Sequence, residues 1–227
     1  METTERSVGW ASEQGITALL SSAAARRVTL AVMRGESFDL ESLLPVIVDG
    51  QSSDESQIRA ECSVASALRS MSLGRQDEAA AVIETLATDS ALRSDWYYVR
   101  VLPLLTRMCA ELEQVALGRL LPEGVRPVPI GHEHVLVTCD AILAEAEGRW
   151  EEAAGGYADA ERRWDEFPSV LERGHALLGR GRCLVQLGLP EATASLLEAR
   201  EVFAGLKARP LTEQVDVLIA TATAQSS

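Results

Sequence analysis

Apolar residues recur along most of the chain with the period of an α-helix. The stretch 16–34 shows the pattern clearly, with Ile16, Leu19, Leu20 and Ala23 at the i, i+3, i+4 and i+7 positions of one helix face. Similar stretches predict a shorter helix at 38–48, in which Pro45 kinks or ends the pattern, helices at 55–72 and 76–88, helical units at about 94–121, 132–166 and 170–206, and a final helix at roughly 211–223. The chain is therefore predicted to be all-α.

A turn signal divides these stretches into pairs at a nearly fixed interval. Gly35, Gly74, Gly148 and Gly188 are four of these signals, and Glu111 occupies the corresponding position in the third pair. The signals recur about every 37 to 40 residues, which is the period of a solenoid built from stacked supersecondary units. We expect about five helical hairpins followed by a C-terminal helix that caps the apolar end of the stack.

Three parts follow from this pattern. Residues 1–14 are expected to form the partial helix of an incomplete repeat, residues 15–207 the repeat array, and residues 208–227 the capping helix and a short tail. A proline-rich segment at 122–129 is interpreted as an extended connection within the array, with a domain boundary as the alternative.

The residues around the turns resemble tetratricopeptide-like repeats. After Gly148 come an aromatic residue, Trp150, and then small, bulky and small residues at Ala153, Tyr157 and Ala160. Other units match at Ala67, Ala79 and Ile83, and at Gly181, Ala192, Leu196 and Ala199. The resemblance implies a right-handed superhelical solenoid in which the first helix of each hairpin lines a concave surface.

A narrower resemblance covers residues 141–207, including Glu172–Leu184 and Glu198–Phe203. This region is similar to the C-terminal repeats of large actinobacterial signalling ATPases, which often carry a class III nucleotide cyclase or a LuxR-type DNA-binding domain on the same polypeptide. The sequence has no GxxxxGK[ST] loop, and Lys207 is its single lysine. The resemblance implies a regulatory repeat tail whose partner is an ATPase or cyclase module on the same or another chain.

Composition narrows the class of partner. Aromatic residues make up only 4% of the 227 residues, which favours helices packed through small contacts over a β-sandwich. A net charge of −13 argues against nucleic-acid binding, since phosphates require a basic patch. We find no apolar run long enough for a membrane span and no signal peptide. The four widely spaced cysteines are typical of reduced, buried thiols, so the expected location is cytoplasmic.

Candidate catalytic and metal-binding residues are few. His132 and His134, at i and i+2 on a helix, point in different directions, so a surface helix start is preferred to a metal site. Gly174, Gly179 and Gly181 lie inside a helix, which indicates close helix packing rather than a phosphate-binding loop. We therefore expect no enzyme activity, no cofactor and no metal.

The hypothesis for function is recognition of a protein or peptide by the concave face. In the tetratricopeptide-like arrangement this face is expected to comprise Val64, Leu68, Met71, Tyr98, Val101, Leu105, Met108, Thr138, Ile142, His175 and Arg182. An apolar stripe of this kind suits a partner helix or peptide, with Arg182 available for a carboxylate. Two alternatives stay open: the stripe fills the repeat core, or the concave face closes around a small molecule as a sensor.

Overall fold

A computed structural model describes Arg6, Trp10 and residues 17–36, 41–125 and 131–225, and throughout this part of the chain the regular structure is helical, without a strand. The all-α prediction is confirmed. The elements are α1 (Thr17–Arg34), a 3₁₀ turn (Glu41–Leu43), α2 (Leu44–Gln51), α3 (Ser56–Ser72), α4 (Gln76–Thr88), α5 (Ser90–Arg93), α6 (Trp96–Glu111), α7 (Val115–Leu120), α8 (His132–Ala146), α9 (Trp150–Glu166), α10 (Val170–Gln186), α11 (Ala192–Gly205) and α12 (Arg209–Gln225).

Two predicted features fall mainly outside the described residues. They are the partial helix of residues 1–14 and residues 126–129 of the proline-rich segment.

Six of the described helices end in the same hydrogen-bonded turn. After α3, Gly74 takes a left-handed backbone conformation and donates its N–H to the Met71 carbonyl at 2.9 Å, while Arg75 donates to the Ser70 carbonyl at 2.9 Å. This is the Schellman motif, which satisfies carbonyls that a helix end leaves unpaired. The left-handed position is occupied in turn by Gly35, Gly74, Glu113, Gly148, Gly188 and Lys207.

The predicted turn at Glu111 is wrong by two residues. Glu111 is the last residue of α6, and Glu113 holds the left-handed position with φ of 58°. Its N–H bonds to the Ala110 carbonyl, and Gln114 bonds to the Cys109 carbonyl, as in the other turns. A glutamate in this conformation gives no glycine signal in the sequence, and this explains the error.

Proline also has a different effect from the one predicted. Pro45 lies in the first turn of α2, where its missing N–H removes no helical hydrogen bond, and α2 continues to Gln51. Pro210 likewise lies in the first turn of α12, which begins at Arg209, two residues before the predicted start.

The helices divide into two compact units, residues 1–101 and 102–227. In the first unit α1, α2 and α3 pack around Ala24, Val28, Ile47 and Cys62, and α4 packs on α3. In the second unit each helix from α8 to α11 packs on the helix that follows it, and α10 also contacts α8 and α12. Phe203 and Val215, both fully buried, belong to the core at its C-terminal end.

Glycines allow α9, α10 and α11 to approach closely. A Cβ atom on Gly179 of α10 would lie 2.3 Å from the Tyr157 ring of α9, and one on Gly181 would lie 2.5 Å from the Leu196 side chain of α11. A Cβ on Gly174 would lie 2.7 Å from Val202. These distances are far below van der Waals contact, so the prediction that these glycines serve helix packing is confirmed.

Candidate functional site

Seven polar side chains from four helices come together in the second unit. We call this group the polar cluster. It comprises Arg107 and Glu111 from α6, Glu145 from α8, Tyr157 from α9, and Glu172, His175 and Arg182 from α10.

The α10 members share one face of that helix. Glu172, His175, Gly179 and Arg182 follow one another at intervals of three or four residues, which places them along a single stripe. Gly179 has no side chain, and the Tyr157 ring occupies the space above it. The same helical spacing puts Arg107 and Glu111 one turn apart on α6.

The first half of the cluster is a paired arginine and glutamate. Arg107 Nη1 and Nη2 donate to the two carboxylate oxygens of Glu172 at 2.9 and 2.8 Å. The side chains are only 12% and 18% exposed, so the pair is largely shielded from water. In this bidentate geometry both terminal nitrogens of the guanidinium bind one carboxylate. The Arg107 Nε is buried without a hydrogen-bond partner.

The second half is a triad around Glu145. Arg182 Nε and Nη2 donate to the Glu145 carboxylate at 2.5 and 2.8 Å, and the Tyr157 hydroxyl donates to it at 2.5 Å. Burial, and next the charge of Glu145, raise the pKa of Tyr157 well above its ordinary value, so the hydroxyl stays a donor. The guanidinium that was expected to bind a partner's carboxylate is therefore occupied by Glu145.

Glu111 and His175 differ from the paired members. Glu111 is exposed, and its carboxylate makes no hydrogen bond or ion pair with any described residue. The protein atoms around its carboxylate nevertheless disfavour the charged form and raise the pKa of Glu111, against the lowering effect of the Arg182 and Arg107 charges. Burial, followed by the charges of Arg107 and Arg182, holds the pKa of His175 well below 6.5, so the ring is neutral at pH 7.

The His175 ring also lies edge-on to Phe203 of α11, with 5.3 Å between ring centroids. Its Nε2 is buried and lacks a hydrogen-bond partner. The cluster thus contains one free carboxylate and one unsatisfied imidazole nitrogen beside two completed ion pairs.

The histidine pair of α8 lies elsewhere in the second unit. His132 is buried, with 8% exposure, which corrects the expectation of a surface helix start. His134 packs edge-on against Trp164 and Phe167, at centroid distances of 5.4 and 5.9 Å. In the described part of the chain no group of three or more His, Cys, Asp or Glu side chains is arranged to hold a metal ion.

The cysteines contribute packing rather than reactive groups. All four are free and buried, and burial raises the pKa of each thiol to about 12. Very little thiolate forms at neutral pH under these conditions. The four residues are Cys62, Cys109, Cys139 and Cys183.

The residues expected on the concave face fall into three groups. Seven are buried, and for these the core interpretation is favoured: Val64, Leu68, Tyr98, Leu105, Met108, Thr138 and Ile142. Met71 and Val101 are partly exposed. His175 and Arg182 are also partly exposed, and they are the two that the structure brings together, in the polar cluster.

The sequence does not predict the other cluster members as site residues. These are Arg107, Glu111, Glu145, Tyr157 and Glu172. One signal was present: Arg107 is the only charged residue in the mainly apolar run 101–109 of α6. The repeat pattern identifies Tyr157 only as a packing position. Nothing in the local pattern indicates that Glu172, which lies 65 residues from Arg107, is its partner.

A separate cavity of about 320 Å³ lies at the turn between α10 and α11, against α12. Its lining includes Val185, Leu189, Pro190 and Ala222, and it contains no charged side chain. The cavity and the polar cluster are formed by different residues. A sensor pocket is expected to have convergent polar side chains around the ligand, and the side chains of the polar cluster do not line this cavity.

Comparison of the chain with family models, with curated proteins and with solved structures gives no match. None of the described helices combines the length and the apolar character that crossing a bilayer requires.

Proposed function

We propose that this chain is a non-catalytic protein-interaction and regulatory module that holds a segment of a partner protein against the polar cluster. By its resemblance to repeat tails of signalling proteins, the partner is an ATPase or cyclase module, on the same or another polypeptide, and the setting is cytoplasmic.

The scaffold of this proposal is a right-handed solenoid of about five tetratricopeptide-like hairpins, capped by α12. Two observations support it. Five of the six helix-ending turns have their left-handed residue at intervals of about 35 to 40 residues: Gly35, Gly74, Glu113, Gly148 and Gly188. In the second unit, consecutive helices from α8 to α12 pack on one another in order.

The observation that carries the functional proposal is the polar cluster itself. Removing charged groups from water is costly, and well-packed apolar residues of similar volume often stabilise a fold as well or better. Stability alone therefore gives little reason to gather three carboxylates, two guanidiniums, a phenol and an imidazole at one place. A recognition role gives a reason, because such groups supply specificity at a binding surface.

A small-molecule sensor is the competing proposal. It requires a cavity lined by convergent polar groups. The cavity between α10 and α11 has no charged side chain in its lining, and the polar cluster is formed by other residues, so the interaction module has the stronger support.

The test is selection from a random peptide library on the immobilised full chain, followed by titration of the selected peptides against the chain in solution. The proposal expects peptides that share a motif, compete with one another, and bind with micromolar or tighter affinity. NMR shift changes on binding should centre on α6, α8 and α10. A selection without any shared motif, or shifts confined to other helices, would contradict the proposal.

A further inference from the structure

We propose that a surface at the start of α6 binds an acidic side chain, an aspartate or a glutamate with an apolar neighbour, in a segment of a partner protein. The surface comprises Trp96, Tyr97 and Arg100, and we call it the aromatic–arginine surface. It lies in the first unit and shares no residue with the polar cluster, so this inference goes beyond the proposed function and does not depend on it.

The two rings form an exposed platform. Trp96 is 52% exposed, although tryptophan side chains are highly buried on average. The ring centroids of Trp96 and Tyr97 lie 4.0 Å apart, and Tyr97 is also partly exposed. The isolated chain therefore leaves a large aromatic side chain in contact with water at this place.

Arg100 lies over this platform. Residues three and four apart are neighbours on a helix surface, and the Arg100 Cζ lies 5.7 Å from the Trp96 ring centroid and 5.8 Å from that of Tyr97. Both distances are those of a cation–π contact. The contact orders the long arginine side chain and leaves the N–H donors, which lie in the guanidinium plane, available for a ligand.

The chain itself does not use these donors. Arg100 makes no hydrogen bond or ion pair with any residue that the structure describes. Asp95, the acidic residue closest to it in sequence, instead accepts the backbone N–H of Tyr97 at 2.9 Å and so caps α6. An arginine that is already ordered loses less conformational entropy when a carboxylate binds it through two parallel hydrogen bonds.

This combination favours one kind of ligand. A cation would meet the charge of Arg100, and a purely apolar segment would leave its donors unused. A carboxylate accepts from those donors, while an apolar side chain beside it covers the exposed Trp96 ring. Tryptophan, tyrosine and arginine are also the residue types most enriched among those that dominate the binding energy of protein interfaces.

The net charge of −13 acts mainly at long range. Exposed charges more than about 8 Å apart are largely screened at physiological ionic strength, so the groups next to Arg100 decide which ligand it prefers. The same net charge disfavours a nucleic acid, whose many phosphates require a basic patch. Because bases also stack on aromatic platforms, an oligonucleotide is the competing ligand in the test.

The experiment compares two peptide libraries on the immobilised full chain. Both are random except at the central position, which is aspartate in one library and asparagine, of the same shape without the charge, in the other. Enriched peptides are titrated in solution and followed by the indole N–H resonance of Trp96, which is assigned by its absence from the spectrum of Trp96→Phe. An oligothymidylate is titrated in the same way.

We expect the aspartate library to give a shared motif with an apolar residue beside the aspartate, and its peptides to shift the Trp96 resonance. Arg100→Gln should weaken their binding by about three- to tenfold, since it removes a partly exposed ion pair. Trp96→Ala should weaken it by about five- to thirtyfold, the range for residues that dominate an interface.

Two matched controls lie elsewhere in the first unit. Arg75→Gln removes the same charge from an exposed arginine, and Leu73→Ala shortens an apolar side chain that is 51% exposed. Each should change the affinity by less than about twofold, because only screened or distant effects remain. Since Arg100 and Trp96 are exposed as well, all four variants should keep the helicity and melting temperature of the wild type.

Three results would overturn this inference. The first is an asparagine library that binds as well as the aspartate library, or an aspartate library without a shared motif. The second is a loss of binding for Arg100→Gln and Trp96→Ala no larger than for their controls. The third is a shift of the Trp96 resonance by the oligothymidylate and by none of the aspartate peptides. The proposed function fails separately, because it is tested by shifts in α8 and α10.

Discussion

Replacement of Gly179 by alanine should destabilise the second unit, although alanine is the better helix former. In the interior of an exposed helix, Gly→Ala stabilises by about 0.5 to 1 kcal/mol because it restricts the unfolded chain. At Gly179 the new Cβ would lie 2.3 Å from Tyr157 Cζ and 2.6 Å from two further ring atoms. Carbon atoms in contact are normally about 3.5 to 4.0 Å apart, so one group must move by about 1 Å or more.

The tyrosine has little freedom to move. Tyr157 is only 2% exposed, and its hydroxyl donates to Glu145, which Arg182 holds in turn. Overpacking of a core typically costs about 1 to 3 kcal/mol, and loss of a hydrogen bond to a charged group costs about 1.5 to 3 kcal/mol. After subtracting the helix-propensity gain, we expect a net destabilisation of about 1.5 to 5.5 kcal/mol for Gly179→Ala.

A second glycine supplies the matched control. Gly155 lies inside α9, and a Cβ built on it meets no atom within 4 Å. Gly155→Ala should therefore stabilise by about 0.5 to 1 kcal/mol, opposite in sign to the effect at Gly179.

The assay is guanidinium-induced unfolding followed by far-UV circular dichroism, with midpoints compared at constant slope. In a Tyr157→Leu background, which lacks the ring, Gly179→Ala should cost clearly less than in the wild type. If Gly179→Ala were as stable as the wild type, the close approach of α9 and α10 described above would be refuted.

Three further predictions concern the turns, the imidazole and the thiols. Glu113→Gly should stabilise by about 1 kcal/mol, because glycine adopts the left-handed conformation without strain, whereas Glu84→Gly inside α4 should destabilise by a similar amount; a lower melting temperature for Glu113→Gly would contradict this. The pKa of His175 is lowered on folding, so the unfolded chain binds the extra proton, and the unfolding free energy should fall as the pH drops from about 7 to 5, by at most about 1.4 kcal/mol per pH unit from this group. His175→Gln should reduce that slope, and an unchanged slope would refute the assignment. Ellman's reagent should label the four buried thiols of the native chain slowly and all four rapidly in denaturant; fast labelling of the native chain would show that they are accessible.

The candidate site shows where inference from sequence ended. His175 and Arg182 were identified as surface-lining residues from their offsets before a turn, and the structure places both in the polar cluster. Most apolar members of the same set, such as Leu105 and Met108, are instead buried, and only Met71 and Val101 are partly exposed. Periodicity identifies the face of a helix on which a side chain lies, but it does not tell whether another helix covers that face.

The free carboxylate illustrates the same limit. The sequence identifies Glu111 only as a turn residue, because it stands where other units have glycine. In the structure it feels the charges of Arg107 and Arg182, which are already paired with other carboxylates. The absence of a partner is a property of the whole neighbourhood, and the sequence alone does not show it.

The sequence by itself determined the features that depend on local interactions. Helix propensity, apolar spacing and glycine at left-handed turns act within a few residues of one another, so most helix boundaries and most of the turns were predictable, and the turn at Glu113 was displaced only because glutamate takes the place of glycine there. The tertiary structure alone decided which side chains are buried and which charges meet, as between Arg107 and Glu172. The physical reason is that ion pairing and burial depend on the three-dimensional approach of separate helices, and this approach is set by packing summed over many contacts rather than by any local pattern.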